Sequence, residues 1–159
     1  MLQPSIEVII LHHNGRENID NCLKSVIKTD YSNFTITVVD NNSTDDSAEF
    51  LKKNFQSIKL IENKVNLGYA GGNNIALKQT KAKYAILLND DTIVMPKWLK
   101  EMLNAMESDT KIATCQPKVL SLRNKSKFDK RASLKKKAIQ RDVDREVRGR
   151  RFDFEADFW

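Results

Sequence analysis

A chain of 159 residues is about one domain, long enough to bury a core and short for a complete two-substrate enzyme. Its 40% hydrophobic and 30% charged residues exclude a disordered or fibrous composition, and no apolar run approaches the ~18 residues of a spanning helix. The net charge of +6 is unevenly held: residues 118–159 carry 14 Lys+Arg against 7 Asp+Glu, leaving 13 against 14 in residues 1–117.

The opening MLQPSIEVIILHHN has neither a basic leader nor a small-residue cleavage pattern, so residues 6–11 (IEVIIL) read as a first strand. That run is β-branched and nearly all apolar, the pattern of a strand covered on both faces. Beyond HHNGREN, Ile19, Cys22, Leu23, Val26 and Ile27 recur at helical spacing. Residues 34–39 (FTITVV) predict a second strand, and STDDSAEFLKKNF a second helix with Ser43 and Asp46 at capping-box spacing. A short third strand follows at 58–61, a helix entered through glycines at 70–79, and a fourth buried strand at 84–88. Pro96 suits a first helical position ahead of the stripe Leu99, Met102, Leu103 and Met106, and residues 112–115 predict a fifth strand. Four helices between five short strands predict an α/β fold, a largely parallel sheet with helices on both faces. Cys22 and Cys115 sit in apolar-periodic segments without metal-type spacing, which predicts buried free thiols and a cytoplasmic setting.

In such sheets ligands bind beyond the carboxyl ends of the strands. Four polar clusters are predicted to share that edge: HHN at 12–14, DNNSTDD at 40–46, NLGYAGGNN at 66–74 and NDDT at 89–92. Asp40 directly follows Val38 and Val39, where its carboxylate is predicted to point into the crevice and accept from a ribose hydroxyl or a base N–H. The alternative is that Asp40 or Ser43 caps the next helix. Glycines in NLGYAGGNN let backbone N–H groups at a helix start approach an anion, with Asn66, Asn73 and Asn74 as amides for a sugar or diphosphate. A tight turn with Gly68 at positive φ explains part of the same pattern. This segment has neither G-x-G-x-x-G spacing nor a phosphate-loop lysine. Asn89, Asp90 and Asp91 are hard oxygen ligands suited to Mg²⁺ or Mn²⁺ bridging substrate phosphates; the other reading is a solvated turn in which Asp91 caps the helix near Pro96.

Taken in order, VIILHHNGRENIDNCLKSV, VVDNNSTDDS, NLGYAGGNNIAL and LLNDDTIV resemble family 2 glycosyltransferases of GT-A fold over roughly residues 5–119. The similarity is to the rhamnosyltransferase-like and galactofuranosyltransferase-like branch, whose metal motif reads Asn-x-Asp-Thr. It implies a nucleotide-sugar-binding domain at 1–119 and a nucleoside-diphosphate-sugar donor, UDP- or dTDP-linked. Asp40 matches the aspartate that contacts the nucleoside, and Asn14 lies in the loop near the base. Asn66, Gly71 and Asn74 match the segment bordering diphosphate and sugar. Asp90 lies within the metal motif against the donor, and Asp91 with Asn89 matches the site of a divalent metal, Mg²⁺ or Mn²⁺. The resemblance further implies inverting transfer to a growing glycan or lipid-linked saccharide, with a carboxylate base. His13 stands where relatives often carry tyrosine.

The resemblance implies a catalytic aspartate in a C-terminal half, most of which this chain is expected to lack, so no catalytic base is assigned. Residues 120–159 read as a basic tail: a truncated or frameshifted product, a fragment, or a genuine extension. Glu155 and Asp157 in FEADFW faintly match the acidic base motif, with chance spacing as the other reading. Two functions follow: the donor half of a glycosyltransferase, binding donor better than it transfers sugar, or a non-catalytic nucleotide-sugar-binding module. The clusters Lys135, Lys136, Lys137 and Arg148, Arg150, Arg151 add peripheral association with the inner face of a membrane, favoured over nucleic acid. Apolar surface left uncovered by the tail adds self-association.

Overall fold

Short apolar runs become strands and helical stripes become helices in the order read from the sequence. The structure is a computed structural model that describes residues 3–120; the tail beyond Leu120 lies outside the described residues. Strands β1 (Ile6–His12), β2 (Phe34–Asp40), β3 (Lys59–Glu62) and β4 (Tyr84–Asn89) alternate with helices α1 (Arg16–Val26), α2 (Ser47–Asn54), α3 (Gly68–Leu77) and α4 (Trp98–Glu107). All strand pairs are parallel, in the order β3-β2-β1-β4. Parallel neighbours need crossover connections, which α1, α2 and α3 supply. The chain winds from β1 out to β3 and then returns to set β4 on the other side of β1. That reversal makes the gap between the carboxyl ends of β1 and β4 the switch point of the sheet.

The period of two along β1 divides its side chains between two layers. Ile6, Val8 and Ile10 pack with Ile19, Cys22, Leu23 and Val26 of α1, Leu51 of α2, and Trp98 and Leu99 of α4. Ile9 packs with Val39 of β2 and Ala76 of α3 on the opposite face. Val8, Ile9 and Ile10 are fully buried, and each such side chain contributes about 1.5–3 kcal/mol relative to exposure. Helices on both faces of a parallel sheet are therefore found as the sequence predicts. Register aligns the strand ends: His12 pairs with Asp40, Leu11 with Asn89, and Asp40 with Glu62.

The fifth strand expected at 112–115 is not formed. The Ile112 N–H is taken by the Asp109 carbonyl in the turn that ends α4, and Pro117 has no N–H to offer a ladder. Cys115 is half-buried rather than buried, its thiol 3.8 Å from the Met102 carbonyl oxygen. Among the described residues β4 is thus an edge strand, and it is not covered on both faces. Its side chains alternate between half-buried and exposed, with Leu87 42% exposed, because α3 packs over β1 and β2 instead.

Helix starts also differ from the sequence reading. The second helix begins at Ser47 without a capping box, since the Ser43 hydroxyl is engaged by Asp40. Helix α3 begins at Gly68, two residues early, and α4 at Trp98, with Pro96 in the preceding turn accepting the Asp30 N–H at 2.7 Å. No helix among the described residues is long and apolar enough to cross a membrane.

Candidate functional site

All four polar clusters follow the carboxyl ends of strands, so the sheet brings them to one edge as expected. The loops after β1 and β2 are stitched together there. Asn14 Oδ1 accepts the N–H of Thr44 at 2.8 Å and of Asp45 at 3.3 Å, while the Asn14 N–H donates to Ser43 Oγ at 2.9 Å. Asn14 at φ 59 and Gly15 at φ 92 turn the chain away from the sheet, a backbone that asparagine and glycine adopt more readily than other residues. The Gly15 N–H donates to Asp45 Oδ2 at 2.8 Å. Burial pushes the Asp45 carboxyl up, but hydrogen bonds from Ser47 and the Gly15 N–H, with His12 nearby, outweigh it and bring the pKa down to about 2.

Asp40 is 4% exposed, and its carboxylate is folded into the turn after β2. Ser43 donates both its N–H and its hydroxyl to Asp40. The carboxylate therefore shapes the turn after β2 and caps no helix. An ionised carboxylate has about four acceptor positions, and Ser43 leaves capacity for a further donor.

Asn41 was missed by the sequence reading, whose only cue was an amide directly after a buried strand. It is 2% exposed and ties down the segment between β3 and α3. Its Oδ1 accepts from Asn63 Nδ2 and the Leu67 N–H, each at 3.0 Å, and its Nδ2 donates to Asn66 Oδ1 at 2.8 Å. Asn66 Oδ1 also accepts the Gly68 N–H at 2.8 Å, so this predicted sugar contact closes its own loop. Gly68 does take a positive φ, 68°, as the tight-turn reading required. Gly71 and Gly72 let α3 lie close to the loop and to β1: a Cβ on Gly71 would stand 3.0 Å from Leu67 Cβ. Asn73 is buried and donates to the Tyr69 carbonyl at 3.0 Å, whereas Asn74 is exposed.

On the other side of the switch point, β4 runs into a turn closed by the Thr92 N–H on the Asn89 carbonyl at 3.2 Å. The fully buried His12 places Nδ1 2.6 Å from Asp90 Oδ2, while Asn89 and Asp91 are exposed. Beneath the turn, burial and then the Asp90 charge push the Cys22 thiol up to about 12, so it stays protonated and lies 3.7 Å from the Asn89 carbonyl oxygen. No three His, Cys, Asp or Glu side chains converge as a metal cage among the described residues. The donors that are free, the Asp91 carboxylate and the Asn89 amide, are hard oxygen ligands. They fit an ion that takes most of its coordination from phosphate and water rather than a protein-only site. Glu155 and Asp157 lie outside the described residues.

Comparison with known proteins bears on this edge. The chain is 32% identical over 112 residues to an uncharacterized glycosyltransferase of Haemophilus influenzae, covering 69% of this chain and 35% of that one. It is 30% identical over 105 residues to the UDP-Glc:alpha-D-GlcNAc-diphosphoundecaprenol beta-1,3-glucosyltransferase WfaP of Escherichia coli, covering 65% and 42%. Among solved structures, S. aureus TarS 1-349 in complex with UDP superposes with a TM-score of 0.61 at 23% identity, over 74% of this chain and 38% of that one. The mannosyltransferase PcManGT from Pyrobaculum calidifontis, in complex with GDP-Man and Mn²⁺, gives 0.62 at 22%, over 74% and 36%. These likenesses show a GT-A fold, and the chain spans about two-fifths or less of the length of each of these relatives. The family model for glycosyl transferase family 2 matches residues 7–154, continuing past the stretch that holds the four motifs. That match takes in nearly the whole sequence, and the chain belongs to glycosyl transferase family 2.

Proposed function

We propose that residues 1–119 form the donor-binding domain of a metal-dependent, inverting glycosyltransferase that takes a sugar from a nucleoside-diphosphate donor. The observation that carries this reading is the alignment of four polar segments along one sheet edge, around the gap between β1 and β4. Solved relatives of the same fold hold UDP, UDP-GlcNAc and GDP-Man, which supports a nucleotide sugar as ligand.

On this reading the nucleoside lies over the stitched loops, with Asp40 accepting from it and Asn14 beside the base. Asn66, Gly71 and Asn74 border the diphosphate and sugar, where the amino end of α3 favours negative charge. Asp91 and Asn89 would hold Mg²⁺ or Mn²⁺; when bound, such an ion neutralises charge on the departing diphosphate. The PcManGT complex with Mn²⁺ supports a divalent metal without choosing between the two. WfaP is named for action on a diphosphoundecaprenol-linked sugar, which supports a lipid-linked saccharide or growing glycan as acceptor.

Calorimetric titration of UDP-, dTDP- and GDP-sugars, each in Mn²⁺ and in excess chelator, tests the proposal. Binding of at least one donor that is lost in chelator is the expected result. Failure of all three donors to bind in Mn²⁺ would overturn donor recognition, and equal affinity in chelator would overturn the metal.

A further inference from the structure

His12 ends the central strand with an imidazole that is 0% exposed, directly beside the turn that carries two adjacent carboxylates. Its Nδ1 meets Asp90 Oδ2 at 2.6 Å, a short hydrogen bond between an imidazole nitrogen and a carboxyl oxygen. Its other nitrogen, Nε2, is buried without a hydrogen-bond partner among the described residues. For packing alone an apolar side chain would serve this position better, because it would bury no unpaired nitrogen. The histidine is thus explained by Asp90 rather than by the core. A carboxylate oxygen accepts and a ring N–H donates, so the contact assigns Nδ1 as the donor to Asp90.

The bond has a consequence for the pair of aspartates. Like charges on neighbouring residues repel, and either could turn toward a cation. His12 resolves the choice: the Asp90 side chain is drawn against the end of β1 and is 24% exposed, while Asp91 stays exposed beside Asn89. Register provides the geometry, since Leu11 is level with Asn89 and the next residues, His12 and Asp90, meet across the gap.

We propose that His12 is a positioning residue: by donating from Nδ1 it pins Asp90 to β1 and so presents Asp91 as the free carboxylate for a divalent cation bound together with a nucleoside diphosphate. This rests on the donor-and-metal reading given under the proposed function.

The test is the affinity of the full chain for Mn²⁺ in the presence of UDP, read from the electron paramagnetic resonance signal of free Mn²⁺. Groups that orient a metal ligand typically change metal affinity 10–100-fold. His12→Leu is therefore expected to weaken Mn²⁺ at least about 10-fold. His12→Asn, whose amide N–H can occupy the place of Nδ1, is expected to recover most of that loss. In an Asp90→Ala background His12→Leu is expected to cost nothing further. Wild-type affinity in His12→Leu, an undiminished cost in the Asp90→Ala background, or an Asn variant no better than Leu would each overturn the proposal. If His12→Leu does not fold, His12→Gln decides beside His12→Asn, because its longer amide stands in for Nε2 rather than Nδ1 and cannot donate to Asp90 in the same way: Mn²⁺ binding weakened in the Gln variant relative to the Asn variant supports the proposal, and equal affinity in the two overturns it. Wild-type protein that binds UDP but no Mn²⁺ would instead overturn the metal reading, and this one with it.

Discussion

Gly72 of α3 lies against Leu11 of β1 so closely that a Cβ on the glycine would fall 2.3 Å from Leu11 Cδ1. Part of that overlap can be relieved by turning the leucine side chain, and alanine is favoured over glycine within helices by about 1 kcal/mol. Gly72→Ala is therefore expected to be tolerated at small cost. Gly72→Val adds two methyl groups where no space remains, and is expected to lose about 1–3 kcal/mol. Urea denaturation of the two variants measures the difference; a valine variant as stable as the wild type would show that α3 is free to move off the sheet.

Asn41 carries the segment that leads into α3, and its removal should be felt there first. Asn41→Ala removes the acceptor of the Leu67 N–H and of the Asn63 amide, and leaves Asn66 Oδ1 with the Gly68 N–H alone. Leu67 and Asn66 are exposed and Asn63 is half-buried, so water can take up much of what is lost and each bond removed costs about 0.5–1.5 kcal/mol. Hydrogen exchange at the Leu67 amide is expected to accelerate well before that of the strands. Unchanged protection would mean that the loop is held by its own turn.

Asp91→Asn is expected to remove most of the metal-dependent part of nucleotide affinity, because a neutral amide is a weak ligand for a hard dication. Affinity in chelator should match the wild type. Isothermal titration with UDP in both media separates the two parts, and a variant that retains full Mn²⁺ dependence would exclude Asp91 as the metal carboxylate.

Asp40→Ala is expected to weaken nucleoside binding and also to loosen the turn after β2, since Ser43 loses the acceptor for both its donors. Ser43→Ala loosens the turn while keeping the carboxylate, so it should retain more of the affinity. Equal loss of affinity in the two variants would assign Asp40 a purely structural role.

Asp45 supplies a pH test. Its folded pKa, brought down to about 2, lies below the ordinary carboxylate value near 3.9. A depressed carboxylate stabilises the fold above its unfolded pKa, and that contribution fades as pH falls toward the folded one. The residue is exposed, so after solvent screening the contribution is about 1 kcal/mol or less. Asp45→Asn is expected to lower the midpoint of thermal unfolding at pH 6 and to converge with the wild type between about pH 4 and pH 2. A difference that persists unchanged at pH 2 would assign the effect to something other than the charge.

What was legible without coordinates was local. Val8, Ile9 and Ile10, or Ile19, Cys22, Leu23 and Val26, announce strand and helix because burial repeats at 2 or 3.6 residues along the chain itself. That alternation was enough for the α/β class, the parallel sheet and the edge on which polar clusters collect. Where the same logic met a short run at 112–115 it failed, because an apolar tetrapeptide does not state whether a partner strand lies within reach. The contacts that shape the site were beyond it for a different reason. His12 and Asp90 are 78 residues apart, and Asn41 lies 22 to 26 residues before Asn63, Asn66 and Leu67. Each side chain alone fits a capping, core or solvated role equally well. Only the register of β1 against β2 and β4, set by the crossovers and by which faces the helices cover, decides which buried polar atoms meet.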